Sequence, residues 1–200
     1  MPRLSLALAC LALIAAATPA LADCPKGESE VCLGQCLCLP DPNGVLGPLQ
    51  EQARQVAAPA LAQWLRQSRE QSLAEAQPIP PALRAQLTSY FPAQVLDAAR
   101  YRVGDDQELN AANAMLQNQD VAAVTLIDVI VFREANAAQG DVALWAHELT
   151  HVQQYQQLGV EGFADRYVRD YRSLEDPAYA LQNRVERSLR APATPLQTQR

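Results

Sequence analysis

The sequence predicts an α+β, helix-rich domain with a minor sheet of two to four strands, preceded by a short segment stapled by disulfides. Three observations carry that prediction. Residues 49–76 and 141–189 are rich in Ala, Leu, Gln, Arg and Glu, with apolar residues recurring at helical spacing. Residues 121–132 hold two β-branched runs, Val121–Leu126 and Asp128–Phe132, which read as strands. Four of the five cysteines fall between residues 24 and 38, among prolines and glycines.

The amino end is expected to be an export signal rather than structure. Arg3 supplies a positive charge, Leu4 to Ala17 is an apolar run, and Ala20-Leu21-Ala22 offers a small-residue cleavage site. Residues 1–22 are therefore assigned to a signal peptide, with Asp23 as the mature start and Cys10 removed with the leader. The run is short for a membrane span and lacks stop-transfer charges, so the mature chain is expected to have no transmembrane segment. Periplasmic or secreted localisation follows.

Residues 23–45 form a Cys-rich head, residues 46–190 the main domain and residues 191–200 a loose tail. In an oxidising compartment Cys24, Cys32, Cys36 and Cys38 read as two disulfides. Direct pairing of Cys36 with Cys38 would be strained. The open connectivities are Cys24–Cys36 with Cys32–Cys38, or Cys24–Cys38 with Cys32–Cys36. A four-thiolate zinc site is disfavoured, because the spacing lacks the paired hooks of zinc ribbons.

Along the main domain, the helix starting near Leu49 is interrupted by Pro59, which is expected to open a second helix. Pro78, Pro80 and Pro81 mark a connector, followed by a short helix over 82–87 and a helical turn through Val95-Leu96. Arg100–Val103 reads as a strand and Gln107–Gln117 as a helix whose start lies at Asp105-Asp106. Asp141 is placed as the N-cap of a long helix that ends at Gly159. Helices over about 161–171 and 177–189 complete the body, the last opening at Pro177.

Composition excludes some functions. The formal net charge is −6 and the only lysine is Lys26, so a phosphate backbone would repel the chain and nucleic acid is not an expected partner. The eight glycines are scattered singly and form no phosphate cradle. Both histidines of the chain lie in one motif, which leaves none for a Ser-His-Asp arrangement.

That motif is His147-Glu148-Leu149-Thr150-His151. Positions i and i+4 of a helix share a face about 6 Å apart at Cβ, so His147 and His151 can converge on one zinc. Glu148, about 100° round the helix, reaches past the metal as general base toward a water that zinc acidifies. Two histidines leave a catalytic zinc one protein ligand short, and no third His exists, so a downstream carboxylate is required. Trp145, Leu144, Leu149 and Val152 read as core, and one of Tyr155, Tyr167, Tyr171 and Tyr179 is a candidate oxyanion stabiliser.

The stretch from Ala123 to about Ala180 resembles the predicted metallopeptidase family known as the extracellular contractile injection system core domain. Val129-Ile130-Val131-Phe132, Leu144 to Val152 and the following Gln154 carry the resemblance, since a zinc motif followed closely by Gln marks that family. It implies a compact, gluzincin-like zincin, with substrate held by an edge strand and a third carboxylate ligand on a later helix. Such families place a Glu about twenty residues past the second His, where this chain offers Asp170, nineteen on, or Glu175, twenty-four on. Glu175 is favoured, because Leu174-Glu175-Asp176-Pro177-Ala178-Tyr179 resembles the acidic stretch that opens the family's ligand helix. The expected protein is thus an exported zinc metallopeptidase acting on protein or peptide substrates. A non-catalytic zinc-binding interaction module of the cell envelope is the alternative.

Overall fold

The structure is a computed structural model that describes residues 24–33, 35–105, 108–110, 112, 116 and 122–190. The assigned signal peptide 1–22, the expected start at Asp23 and the tail 191–200 lie outside the described residues. So does most of the helix expected over 107–117, of which 108–110, 112 and 116 are described and helical. Its start is as expected at Asp105, whose Oδ1 accepts from the Glu108 amide at 2.8 Å.

The head is an antiparallel hairpin of β1 (Glu28–Leu33) and β2 (Gln35–Pro40), closed by a Cys24–Cys38 disulfide. That bond belongs to the second of the two open connectivities. The register sets Cys32 opposite Cys36, while their side chains lie outside what the structure describes. Asp41 ties the head to the domain. Its carboxylate accepts from Ser29 Oγ at 2.7 Å and from the amides of Val45 and Leu46 at 2.8 and 2.9 Å, at the start of the next helix.

That helix, α1 (Leu46–Leu73), runs unbroken through Pro59, contrary to the expected division into two. Pro59 removes one backbone donor, but it sits on the exposed side while Ala58, Leu61, Ala62 and Leu65 are buried beneath it. Packing of that inner face keeps the helix in one piece.

A four-stranded sheet follows, in the order β3 (Gln77–Pro78), β4 (Arg100–Val103), β6 (Val129–Phe132), β5 (Ala123–Leu126), with α2 (Pro81–Leu87) and α3 (Ala93–Ala98) between β3 and β4. Only the β4–β6 pair is parallel. The two β-branched runs form strands at Ala123–Leu126 and Val129–Phe132, and both strands are buried along their whole length, because the sheet is covered on both faces. Thr125 pairs with Ile130 and Ala123 with Phe132, so alternation puts these four on one face, toward Trp145 and Leu149. Val124, Leu126, Val129 and Val131 face α1 at Leu61 and Leu65. The β5–β6 turn carries Ile127 at φ 65°, an unfavourable region for a β-branched residue. Arg69 of α1 holds that turn with a two-point bond to Asp128 at 2.7 and 2.8 Å.

The chain then forms α4 (Ala135–Gly140), α5 (Val142–Asp170) and α6 (Arg172–Arg190). Asp141 caps α5 as expected, its Oδ1 accepting from the Leu144 amide at 2.9 Å. Gly159 breaks α5 as expected too, with φ 70° and ψ 170°, values open essentially to glycine alone. The helix resumes beyond it at an angle. The last helix begins at Arg172, not at Pro177, which lies inside it. Leu174 and Glu175 are buried while Pro177 is exposed, so inward packing of 174–175 wins the extra turn ahead of the proline. Among the described residues no helix is long and apolar enough to cross a membrane.

Candidate metal centre

His147, Glu148 and His151 sit on the first half of α5, where its face against the sheet is wholly buried. Helical repeat brings the two imidazoles together without help from the rest of the fold, with His151 Nε2 3.1 Å from His147 Nε2. Glu175 enters from α6. Its Oε2 lies 3.4 Å from His147 Nε2 and its Oε1 3.6 Å from His151 Nε2. Of the two carboxylates weighed from the sequence, Glu175 is brought into the group and Asp170 is not.

These three donors could hold a metal ion. A tetrahedral ion with bonds of about 2.0–2.1 Å needs donors about 3.3 Å apart, and the three separations here are 3.1, 3.4 and 3.6 Å. Glu175 Oε2 is buried with no hydrogen-bond partner among the described residues, which costs free energy unless a cation meets it. Two nitrogen donors and one carboxylate suit a borderline metal with one position left open.

The electrostatics follow from burial of charge in a small space. Burial alone would raise the Glu175 carboxyl, but the imidazoles of His147 and His151 beside it hold it down at about 2. Burial likewise opposes a charge on His151, yet Glu175 beside it, then Glu148 and Gln154, raise it to about 9. The surrounding wall is aromatic: Tyr155 stacks on Phe163 at 3.8 Å, and Phe163 lies 6.3 Å from His151. Burial pushes the hydroxyls of Tyr155 and Tyr167 above their usual range.

Glu148 does not join the ligand group, as its place on the helix predicts. Thr125 Oγ1 of β5 donates to its Oε2 at 2.7 Å and lies 3.1 Å from its backbone oxygen. Thr125 was not singled out from the sequence. Its signal was a hydroxyl at 125 on the sheet face otherwise filled by Ala123, Ile130 and Phe132. Of the four tyrosines, Tyr179 is the one against a ligand ring at the surface, 4.5 Å from His147 and half exposed. Leu116, Ala123, Val124 and Thr125 line the cavity with the two histidines, Glu148 and Glu175.

The comparison with protein families falls on the same region. Residues 78–159 match the eCIS core domain. This is the family that the motif and its trailing glutamine resemble. The matched eCIS core segment spans β3 to β6 and the first half of α5, so it contains His147, Glu148, His151 and Gln154. It ends at Gly159, short of Glu175, so the third member of the group rests on geometry. No curated protein and no solved structure matches the chain.

Proposed function

We propose that the protein is an exported zinc metallopeptidase, with His147, His151 and Glu175 as ligands and Glu148 as general base. The observation that carries the reading is the triangle of donors at tetrahedral spacing with an ionisable carboxylate beside it that does not ligate. Zinc held there would supply Lewis acidity to a water and to the carbonyl of a peptide bond. Glu148 would accept the proton of the attacking water and pass it to the leaving amine. Thr125 fixes the plane of that carboxylate through Oε2, so the base does not swing onto the metal. Among the described residues strand β5 is at the edge of the sheet, and it lines the cavity with Ala123, Val124 and Thr125, all buried. The Cys24–Cys38 disulfide fits an oxidising compartment and supports export.

Glu148→Gln in the zinc-loaded protein tests the reading. It should keep the metal and lose at least about 100-fold in cleavage of a fluorogenic peptide library, because the ligands stay while the proton acceptor goes. Unchanged turnover would remove Glu148 as the base. One observation favours the second reading, a zinc-binding module without turnover: the cavity measures about 30 Å³. That is room for an ion and a water rather than for a peptide side chain. A zinc-loaded wild type that cleaves nothing would leave this second reading standing.

A further inference from the structure

Gln154 lies three residues past His151 on α5 and touches both arms of the centre. Its Oε1 is 2.9 Å from His151 Nδ1, and its Nε2 donates to the Leu174 carbonyl at 2.8 Å. The second contact fixes the first. A backbone carbonyl only accepts, so the amide nitrogen must face Leu174 and the amide oxygen must face His151. An oxygen at Nδ1 requires a proton on Nδ1, which leaves Nε2 to offer its lone pair to a metal. Leu174 O belongs to the peptide that joins Leu174 to Glu175. One side chain thus orients the His151 ring and anchors the backbone of the third ligand, which is otherwise twenty-one residues further along the chain. His147 has no counterpart: its Nδ1 is buried with no partner among the described residues.

We infer that Gln154 is a positioning residue that couples the two arms of the metal centre, setting the His151 tautomer and the approach of Glu175 together. The inference rests on the metal-site reading above. Gln154 is half-buried and sits at the rim of the core, so it can be changed without opening a cavity. Met keeps its length but removes both polar contacts. Asn keeps the amide but is one methylene too short to span both partners.

The test is the zinc affinity of the metal-free full chain, measured by competition with a chromophoric chelator. Unfolding by far-UV circular dichroism checks that each variant is folded. Gln154→Met should weaken zinc binding by about 10–100-fold, the usual scale for a residue that orients a ligand. Gln154→Asn should lose affinity in the same way, and it carries the test if the Met variant does not fold. In a Glu175→Ala background the loss from Gln154→Met should shrink to a fewfold, because one of the two arms it couples is gone. Wild-type affinity in either Gln154 variant, or effects of Gln154→Met and Glu175→Ala that simply add, would overturn the coupling. A wild-type chain that bound no zinc would instead remove the metal-site reading itself, and the coupling with it.

Discussion

His147 and His151 meet through one turn of one helix, whereas Glu175 reaches them across a glycine break, an aromatic stack and a helix that starts five residues before its proline. The first pair is local. Any stable helix over 142–158 presents those rings on one face, and an N-cap at Asp141 with Trp145, Leu149 and Val152 in the core secures that helix. The third donor is tertiary. It depends on Gly159 turning the chain, on Phe163 stacking against Tyr155, and on Leu174 burying beside it. The three-residue group thus has one rigid arm and one assembled arm, and perturbations should separate the two.

The largest separation should come from carboxylate substitutions on the assembled arm. Glu175→Ala should weaken zinc binding by more than about 100-fold, beyond the range of residues that only orient ligands. Asp170→Ala should leave it within about twofold. Chelator competition on both variants checks this, and equal retention of zinc would remove Glu175 from the ligand set.

Protons compete with a metal on the rigid arm. His151 rises to about 9 without metal, so zinc must displace its proton near neutrality, and affinity should climb by up to about tenfold per pH unit below that value. Calorimetry in two buffers of different ionisation enthalpy should detect close to one proton released per zinc at pH 7. In the metal-free protein the pair also shapes stability. The depressed Glu175 stabilises fully above its ordinary 4.5, and this is lost as pH falls through about 2. The raised His151 stabilises fully below its ordinary 6.5, and this is lost as pH rises through about 9. Denaturant titrations with chelator present should therefore show the pair's contribution at its fullest between pH 4.5 and 6.5, falling away on either side.

How much of this was legible in sequence follows the same division. Strands at 100–103, 123–126 and 129–132, within a residue or two of the expected bounds, the cap at Asp141, the break at Gly159 and the pairing of the two histidines were legible, because each rests on period, capping or spacing within a few residues. The two prolines were misread for one reason. Pro59 and Pro177 look like helix starts, yet buried neighbours at Ala58 and Leu61, and at Leu174 and Glu175, hold the helix through them. Only packing reveals that. Glu175 over Asp170 needed a resemblance rather than a spacing rule. Thr125 went unnoticed because its partner Glu148 is twenty-three residues away.

Gly159→Ala should cost about 1–3 kcal/mol, since its φ and ψ lie where a Cβ is not tolerated. By shifting the segment beyond 159 it should also weaken zinc binding, though less than Glu175→Ala does. Thermal unfolding and chelator competition on one sample separate the two effects, and a loss of stability with no change in affinity would show that the break does not aim the assembled arm.

The head should matter least to the centre. Replacing both Cys24 and Cys38 by Ser removes a crosslink across a 14-residue separation and should cost about 3 kcal/mol. Zinc affinity should stay within about twofold, because no residue of the head lines the cavity. In the exported wild type, alkylation before reduction should label none of Cys24, Cys32, Cys36 and Cys38. Labelling of Cys32 and Cys36 alone would limit the staple to the Cys24–Cys38 bond.

Zinc titration of the metal-free chain, with His151→Ala and Glu175→Ala beside it, bears most directly on the centre. One zinc per wild-type chain is expected, with binding lost in His151→Ala from the rigid arm and strongly weakened in Glu175→Ala from the assembled one. A wild-type chain that takes up no zinc, or variants that bind it as the wild type does, would contradict a three-residue metal centre.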